Sequence, residues 1–369
     1  MNHSTAMTPP PAAPGIPATS TPGQSGPIVV TGAGGFIGQA LIPALLAAGH
    51  DVRAITRDPG RFGHVDAEAP RASAVMPQAG ERPAPGQLEV LPHPGTGRSP
   101  DWSALLAGAR AVIHGAGIAH VPLGSDRAAR QRLWQVNVRG TRQLARAAAH
   151  AGVARFIFLS SIKAAGEWSL PGQPLRASDA PRPEDCYGVA KLAGEHLLMR
   201  QLRQQPDGMA ITIIRPPLVY GPGVKANFAA LLKLAASGLP LPLGRVANAR
   251  SFLSVHNLSS AIERVLATPA PRGSGIYHLS DGPALSTPAL IRAIAAAAGK
   301  PARLLPLPPA LLGGLARLAG REAIWQRLAG SLEVDSQPFC AQFDWQPPLT
   351  MQAALAELYR TETASTRTR

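Results

Sequence analysis

The sequence predicts an α/β fold, with a doubly wound parallel sheet followed by a smaller C-terminal α/β domain. Short apolar runs alternate with longer helical patterns, which is the order expected of βαβ units. A glycine-rich turn follows the first apolar run, as it does where such sheets bind nucleotides. The chain has 369 residues, 45% of them hydrophobic, so it can build one large domain or two coupled ones.

The glycine-rich turn predicts a dinucleotide cradle. Residues 28–30 are typical of a buried strand, and a helix is expected over residues 36–48. Glycines between them let backbone N–H groups approach a pyrophosphate, and the helix N-terminus adds partial positive charge. Glycine-rich turns are common in proteins. This one indicates a dinucleotide site because it lies at the start of a βαβ unit. The residues assigned to this cradle are Gly32, Gly35, Phe36, Ile37 and Gly38.

The second strand, predicted over residues 50–57, bears on the choice between NAD and NADP. Dinucleotide sites for NAD place an acidic residue at the end of this strand, where it binds the adenosine ribose. Here the strand ends in Thr56 and Arg57. An arginine suits the 2′-phosphate of NADP, although a solvated surface arginine would look the same. The sequence leaves both cofactors open.

The remaining elements continue the alternation, after an irregular insertion at about residues 58–86 that is rich in proline, glycine and alanine. The pattern predicts strands at 87–91, 111–114, 154–161 and 211–214, and helices at 101–109, 130–151 and 187–203. Beyond residue 223 it predicts helices at 227–237, 257–267 and 287–298, with extended segments at 239–244, 250–255, 276–279 and 303–306. The rest reads as helical until about residue 359.

Composition limits the classes of partner. The net charge of +14 comes mostly from arginine, but the arginines are scattered, without a basic run or an aromatic platform, so anionic small ligands are favoured over nucleic acid. Cys186 and Cys340 lack metal or redox spacing and are expected to be reduced thiols in the cytoplasm, with no metal site. Neither a signal peptide nor membrane insertion is expected.

Three side chains carry the predicted chemistry. Tyr187 and Lys191 lie four residues apart, which puts them on one face of a helix. An ammonium beside a phenol lowers its pKa, so the pair can exchange a proton with an alcohol or ketone while a nicotinamide exchanges the hydride. Ser161 ends a strand 26 residues upstream, where it can hydrogen-bond the reacting oxygen. Taken alone, the tyrosine and lysine could equally be a pair on the protein surface, and the serine could equally belong to an ordinary turn.

Together these motifs resemble those of extended short-chain dehydrogenases/reductases, in the nucleotide-sugar epimerase/dehydratase family with UDP-glucose 4-epimerase-like members. The similarity covers about residues 28–360. The matching motifs are Thr31-Gly32-x-x-Gly35-x-x-Gly38, Asn137-Val-Arg-Gly-Thr141, Leu159-Ser-Ser161, Tyr187-x-x-x-Lys191, Arg215-Pro-Pro-Leu-Val-Tyr-Gly-Pro-Gly223, Arg250-Ser-Phe-Leu-Ser-Val-His-Asn-Leu258 and Trp345-Gln-Pro347.

The resemblance implies a division of the chain. Residues 28–222 would form a Rossmann-type NAD(P)-binding domain, and residues 223–360 would mainly bind substrate while partly returning to the first domain. Residues 1–27 read as a disordered tail and 361–369 as a frayed end. Family members often dimerise through the helix that carries Tyr187 and the helix before it, so a homodimer is expected.

The resemblance also implies residue roles. Ser161 and Tyr187 would be catalytic, with Lys191 holding the nicotinamide ribose and lowering the pKa of the tyrosine. Further cofactor contacts would come from Ala116, Asn137 and Pro216. A nucleotide-sugar substrate, UDP-linked in this family, would meet Ser161, Asn227, Leu243 and Arg250. The arginine suits a diphosphate, although a structural salt bridge would account for it as well.

Two reactions fit these residues, both plausible in surface-polysaccharide pathways, and the first is favoured. One is a 4-epimerase of a UDP-hexose or UDP-N-acetylhexosamine with captive NAD. The other is a 4-ketoreductase of a UDP-4-keto-6-deoxy sugar, which needs exchangeable NADPH. A dehydratase is disfavoured because Ser161 is followed by Ile162 and Lys163 instead of an Asp-Glu pair. A non-catalytic NAD(P)-binding scaffold is the remote alternative. Residues 330–335 lack the tyrosine that excludes N-acetyl groups in some relatives, and residues 91–95 lack the family's acidic residue near adenine.

Overall fold

The structure is a computed structural model that describes residues 26–59, 84–95, 97, 100–119, 126–205 and 208–367, except for the side chains of 226–227 and 362–367. The strands are β1 (Ile28–Thr31), β2 (Val52–Thr56), β3 (Leu88–Pro92), β4 (Ala111–His114), β5 (Arg155–Leu159), β6 (Ala210–Arg215), β7 (Leu218–Tyr220), β8 (Phe252–Ser254) and β9 (Gly275–His278). Seven of them form one parallel sheet in the order β3-β2-β1-β4-β5-β6-β9, while β7 and β8 pair separately. The predicted doubly wound parallel sheet is confirmed.

Twelve helices are present in the described residues. They are α1 (Phe36–Ala47), α2 (Ser103–Leu106), α3 (Arg127–Trp134), α4 (Thr141–His150), α5 (Cys186–Gln204), α6 (Ala226–Ala236), α7 (Val255–Ala267), α8 (Thr287–Ala297), α9 (Pro309–Leu318), α10 (Glu322–Ala329), α11 (Gln337–Phe343) and α12 (Met351–Arg367). A π-helical turn, Gln135–Gly140, joins α3 to α4. The helix predicted at 130–151 is therefore continuous, with a π-helical segment between its two α-helical parts. Strand β7 was not predicted from the sequence.

Strand β1 shows how the layers form. Its residues are all buried, and their side chains alternate between two apolar clusters. Ile28 and Val30 pack on the side of α1 and α7, whereas Val29 packs on the side of α2, α4 and α5. Side chains of a strand point alternately to opposite faces, so a continuous apolar run covers both sides of the sheet. The ends of the central strands are therefore left as the place for ligands.

A third apolar cluster builds the C-terminal region. Tyr220, Phe228, Phe252 and Leu355 meet there, with contributions from α6, α8 and α12. The chain nevertheless returns to the first layer, because β9 extends the main sheet and α7 packs on α1.

Parts of the tails and of the predicted insertion lie outside the described residues. These are residues 1–25, 60–83 and 368–369, so their expected irregularity stays a prediction. Helix α12 runs to Arg367, so its last turns fall within the stretch 361–369 expected to fray. No helix in the described ranges combines the length and apolarity needed to cross a bilayer.

Candidate active site

The glycine turn packs too tightly for side chains. Gly32 has a φ of 74°, and a Cβ there would lie 2.7 Å from the backbone nitrogen of Ala116. A Cβ at Gly38 would lie 2.5 Å from the carbonyl oxygen of Ala33. Gly35 precedes the first residue of α1, whose N-terminus has no side-chain cap. Helix amides left uncapped behind a glycine turn suit a pyrophosphate, so the residues present fit a dinucleotide.

A chain of buried hydrogen bonds links this turn to the π-helical turn. His114, at the end of β4, contacts the Thr31 hydroxyl through Nδ1 at 2.7 Å and the Thr141 hydroxyl through Nε2 at 2.9 Å. The Thr141 hydroxyl also donates to the carbonyl of Asn137 at 2.8 Å. The Asn137 amide in turn makes two hydrogen bonds with the backbone of Ile118, at 2.8 and 3.0 Å. Asn137, assigned to the cofactor side from sequence, therefore shapes the loop after β4.

His114 should make the fold sensitive to acid. Burial lowers its pKa to about 3, with the charge of Lys191 acting in the same direction. The unfolded chain binds a proton below a pH of about 6.5, whereas the folded protein does not until about 3. Stability from neutral His114 is therefore complete above pH 6.5 and falls as the pH drops. Buried His278, whose pKa is about 4, adds in the same direction.

Chemical denaturation of the wild type and of His114→Gln, as a function of pH, would check this. The variant should be less stable at pH 7 and should lose part of the decline between pH 6.5 and 4. His150→Gln removes an exposed histidine and should keep the full decline. An identical pH dependence in wild type and His114→Gln would contradict the assignment.

The structure brings Ser161, Tyr187 and Lys191 to one place. Ser161 follows β5, and its hydroxyl accepts from the Lys163 backbone nitrogen at 3.3 Å. Tyr187 is the second residue of α5. The side chain of Lys163 bonds Asp185 at 2.7 Å, and Asp185 caps α5 by accepting from the Gly188 nitrogen. The turn after β5 is thus held to the start of α5, with the serine beside the tyrosine.

Tyr187 is held as a neutral phenol. Burial raises its pKa to about 12, and the charge of Asp185 adds to this, while a hydrogen bond with Ser161 acts in the opposite direction. The direction is opposite to the one expected from Lys191 in the sequence analysis. Spacing along a helix makes the two residues neighbours, but it does not tell how far burial outweighs the ammonium.

Lys191 lies one helical turn beyond Tyr187 on α5 and is 3% exposed. Its ammonium donates to the Leu159 carbonyl at 2.8 Å and lies 4.5 Å from the centre of the Phe158 ring. A Cβ built on Gly117 would come within 3.5 Å of the ammonium nitrogen, so Lys191 also lies beside the loop after β4. Burial lowers the pKa of Lys191 to about 8, although the charge of Glu195 raises it.

Gly188 allows the start of α5 to pack closely against the turn after β5. A Cβ on Gly188 would fall inside the contact distance of the Lys163 backbone carbonyl, so any side chain would push α5 away from the turn. We expect Gly188→Ala to lower the turnover of whatever reaction Tyr187 serves by about tenfold or more, because a displacement of about 1 Å in a reacting group costs up to 10²-fold. Steady-state kinetics would measure the effect. Gly314→Ala is the matched control, because a Cβ there meets nothing within 4 Å.

A buried ion pair next to Ser161 was not predicted from the sequence. Glu195 is one turn beyond Lys191 on α5 and is wholly buried. It receives two hydrogen bonds from Arg215 Nε, at 3.0 and 3.1 Å, and one from Nη2 at 2.6 Å. The hydroxyl of Ser160 also donates to Glu195. The network ties α5 to the ends of β5 and β6, next to Ser161.

The predicted substrate residues occupy different environments. Arg250 is partly buried, and its Nη1 donates to the Gly330 carbonyl at 3.0 Å. No carboxylate within the described part of the chain pairs with Arg250, so the salt-bridge alternative is not seen there. Leu243 is 7% exposed and packs in the C-terminal apolar cluster. Asn227 lies in the first turn of α6, with its side chain outside the described part.

The other residues assigned to the cofactor from sequence lie at the ends of several helices and strands. Phe36 and Ile37 form the first turn of α1. Pro216 is buried after β6, and its carbonyl accepts from the backbone nitrogen of Ile162 at 2.9 Å, directly after the serine. Arg57 is exposed beyond the end of β2, and its charge, together with burial, lowers the pKa of His93 beyond the end of β3. This corner therefore carries a guanidinium and an imidazole where the family usually has an acid.

Comparison with known proteins gives a family model, curated relatives and a solved structure of similar fold. Residues 28–279 match the NAD dependent epimerase/dehydratase family. A UDP-glucose 4-epimerase of Vibrio cholerae is 38% identical over 255 residues, 69% of this chain and 77% of that protein. A GDP-6-deoxy-D-mannose reductase of Pseudomonas aeruginosa is 28% identical over 69% of this chain and 74% of that protein. The solved structure of MoeE5 in complex with UDP-glucose and NAD has a TM-score of 0.68 at 23% identity, with coverage of 92% of this chain and 100% of MoeE5.

Proposed function

The chain belongs to the NAD dependent epimerase/dehydratase family, and we propose that it is a nucleotide-sugar 4-epimerase acting on a UDP-hexose or UDP-N-acetylhexosamine. The proposal is carried by the hydrogen bond between Ser161 and Tyr187 and by the buried ammonium of Lys191 at the Leu159 carbonyl, next to the loop after β4. The 38% identity to a UDP-glucose 4-epimerase supports the reaction and the UDP linkage.

The proposed mechanism divides the work between cofactor and protein. Bound NAD(P) supplies the acceptor and donor of hydride. Tyr187 takes the proton from the sugar 4-hydroxyl and returns it to the 4-keto oxygen after the sugar has turned over. Ser161 hydrogen-bonds the same oxygen. The ammonium of Lys191, buried next to the loop after β4, would hold the nicotinamide ribose, and its positive charge would favour the phenolate form of Tyr187.

Arg250 is proposed to bind the substrate diphosphate. Its guanidinium donates to one backbone carbonyl and pairs with no carboxylate in the described ranges, so donors are left for an anion. Asn227, at the start of α6, is proposed as a second phosphate contact. Leu243 is proposed to support the uracil from the apolar cluster beneath it. The absence of tyrosine from residues 330–335 leads us to propose that N-acetylated sugars are accepted.

A 4-ketoreductase is the second candidate, and Arg57 is the observation that favours it. This exposed guanidinium stands where the 2′-phosphate of NADPH would be recognised, and a reductase at 28% identity is among the relatives. A reductase must exchange its cofactor at each turnover, whereas an epimerase regenerates it. Which nucleotide the purified protein retains therefore separates the two.

The deciding experiment is to denature the purified protein and identify the released nucleotide by mass. Stoichiometric NAD⁺ or NADH, together with interconversion of UDP-glucose and UDP-galactose or of their N-acetyl forms, supports the epimerase. Empty protein that binds NADPH and not NADH supports the reductase, and Arg57→Ala should then weaken NADPH binding. Protein that binds no nucleotide sugar would return the scaffold alternative.

We further propose a homodimer formed through α4 and α5. Trp134 is 42% exposed and lines a surface cavity of about 790 Å³ between α3, α4 and α5. Val189 is 43% exposed and lines a second cavity of about 360 Å³ that Trp134 shares. Light scattering would give the molar mass, and Val189→Arg should reduce it towards the monomer's 38.3 kDa. Cytoplasmic location and a role in surface-polysaccharide synthesis remain predictions.

A further inference from the structure

Helices α9 and α10 form a hairpin, residues 309–329, whose outer face is apolar and uncovered. Neither helix has a buried residue. Leu311, Leu315 and Leu318 are 53%, 54% and 87% exposed, and Ile324 on α10 is 52% exposed. The three leucines follow i, i+4, i+7 spacing, so they share one face of α9. Large side chains exposed together in this way mark an interaction surface.

The exposed face belongs to a hairpin with its own packing. A Cβ on Gly313 would lie 2.9 Å from the indole nitrogen of Trp325, so the two helices approach closely. Leu312 and Trp325 pack against the C-terminal apolar cluster. At the end of α10, the Leu328 carbonyl accepts hydrogen bonds from Asn248 and Thr287. The inner face is thus anchored, while the outer face has no partner among the described residues.

The charges around this face have one dominant sign. Residues 303–329 contain four arginines and one acidic residue, Glu322, without lysine or aspartate. All five are exposed, and none of the arginines is ion-paired in the described part of the chain. The arginines are Arg303, Arg317, Arg321 and Arg327. An apolar helix face with unpaired arginines around it fits an apolar surface that is edged by anions.

We propose that the hairpin binds the surface of a bilayer that contains anionic phospholipid. Helices of this kind lie in the plane of the interface, with leucines among the acyl chains and arginines at the headgroup phosphates. A second copy of the chain fits less well, because it would bring two faces of the same charge together. The hairpin ends beside Gly330, whose carbonyl binds Arg250, so a docked protein holds its substrate side close to the membrane.

Co-sedimentation of the full chain with vesicles tests the proposal. Wild-type protein should pellet with phosphatidylcholine vesicles that contain phosphatidylglycerol, and much less with phosphatidylcholine alone. Added salt should weaken the binding. The double variant Leu315→Glu/Leu318→Glu should partition about tenfold less or weaker still, because it removes apolar area and adds negative charge. Leu170→Glu changes a leucine that is 65% exposed elsewhere and should bind like the wild type.

Three results would overturn the proposal. Wild-type protein could stay in the supernatant with anionic vesicles, or the double variant could bind as tightly as the wild type. An assembly in solution that the double variant disrupts, without vesicle binding by the wild type, would instead assign the face to a second copy. The double variant touches none of the proposed catalytic residues, so its turnover of a soluble UDP-sugar should match the wild type. Vesicle binding and turnover can therefore fail independently.

Discussion

Tyr187→Phe is expected to lower the rate of UDP-sugar interconversion by about 10³-fold, within the range of 10²–10⁴ typical for a general acid–base group. The substitution keeps the partly buried ring and removes only the hydroxyl that is proposed to carry the proton. Anion-exchange chromatography of UDP-glucose and UDP-galactose, and of their N-acetyl forms, would follow both directions of the reaction.

The tyrosine variant needs controls that separate chemistry from folding. Its thermal midpoint should lie close to that of the wild type and its nucleotide should be retained, because the substitution removes one hydrogen bond, to Ser161, whereas the Lys163–Asp185 ion pair still holds α5 to the turn after β5. Tyr359→Phe removes a hydroxyl that donates to the Leu232 carbonyl on the far C-terminal cluster, and it should keep full activity. A Tyr187→Phe protein with more than about a tenth of wild-type turnover would rule out the proton transfer proposed for Tyr187.

The part of the site that can be predicted from sequence is the part that depends on the spacing of residues close together in the chain. Tyr187 and Lys191 are one helical turn apart, and Ser161 ends a strand, so their meeting requires only that the strand and helix be neighbours in a parallel sheet. The glycines of the cradle are predictable for the same reason, since each is required by the turn between β1 and α1. Such short-range patterns can be recognised from the sequence alone.

The rest depends on contacts between distant residues. His114 hydrogen-bonds to Thr31, 83 positions before it, and to Thr141, 27 positions after it. No periodicity in the sequence predicts such contacts. Glu195 reads as an ordinary polar residue of α5, although it is wholly buried. A leucine such as Leu243 in an alternating Leu-Pro segment can face ligand or core equally well. The pKa of Tyr187 depends on burial, which spacing does not reveal.

Among the contacts that were not predicted from the sequence, the Glu195–Arg215 ion pair should have the largest effect on stability. Glu195→Gln keeps the shape but leaves the charge of Arg215 buried without an opposite charge, and breaking a buried pair in this way costs about 3–5 kcal/mol. Arg215 is 2% exposed, and its Nη1 already lacks a hydrogen-bond partner in the described part of the chain, so little can replace the carboxylate. Urea denaturation would measure the loss.

Two further variants make the test specific to this pair. Glu322→Gln removes an exposed carboxylate on α10 and should change the free energy of unfolding by less than about 0.5 kcal/mol. The double variant Glu195→Leu/Arg215→Met removes both charges and should recover much of the lost stability, as apolar replacements of buried pairs do. It should not recover turnover, because Glu195 raises the pKa of Lys191 and holds the strand end beside Ser161. A Glu195→Gln protein as stable as the wild type would show that the pair contributes nothing to the fold.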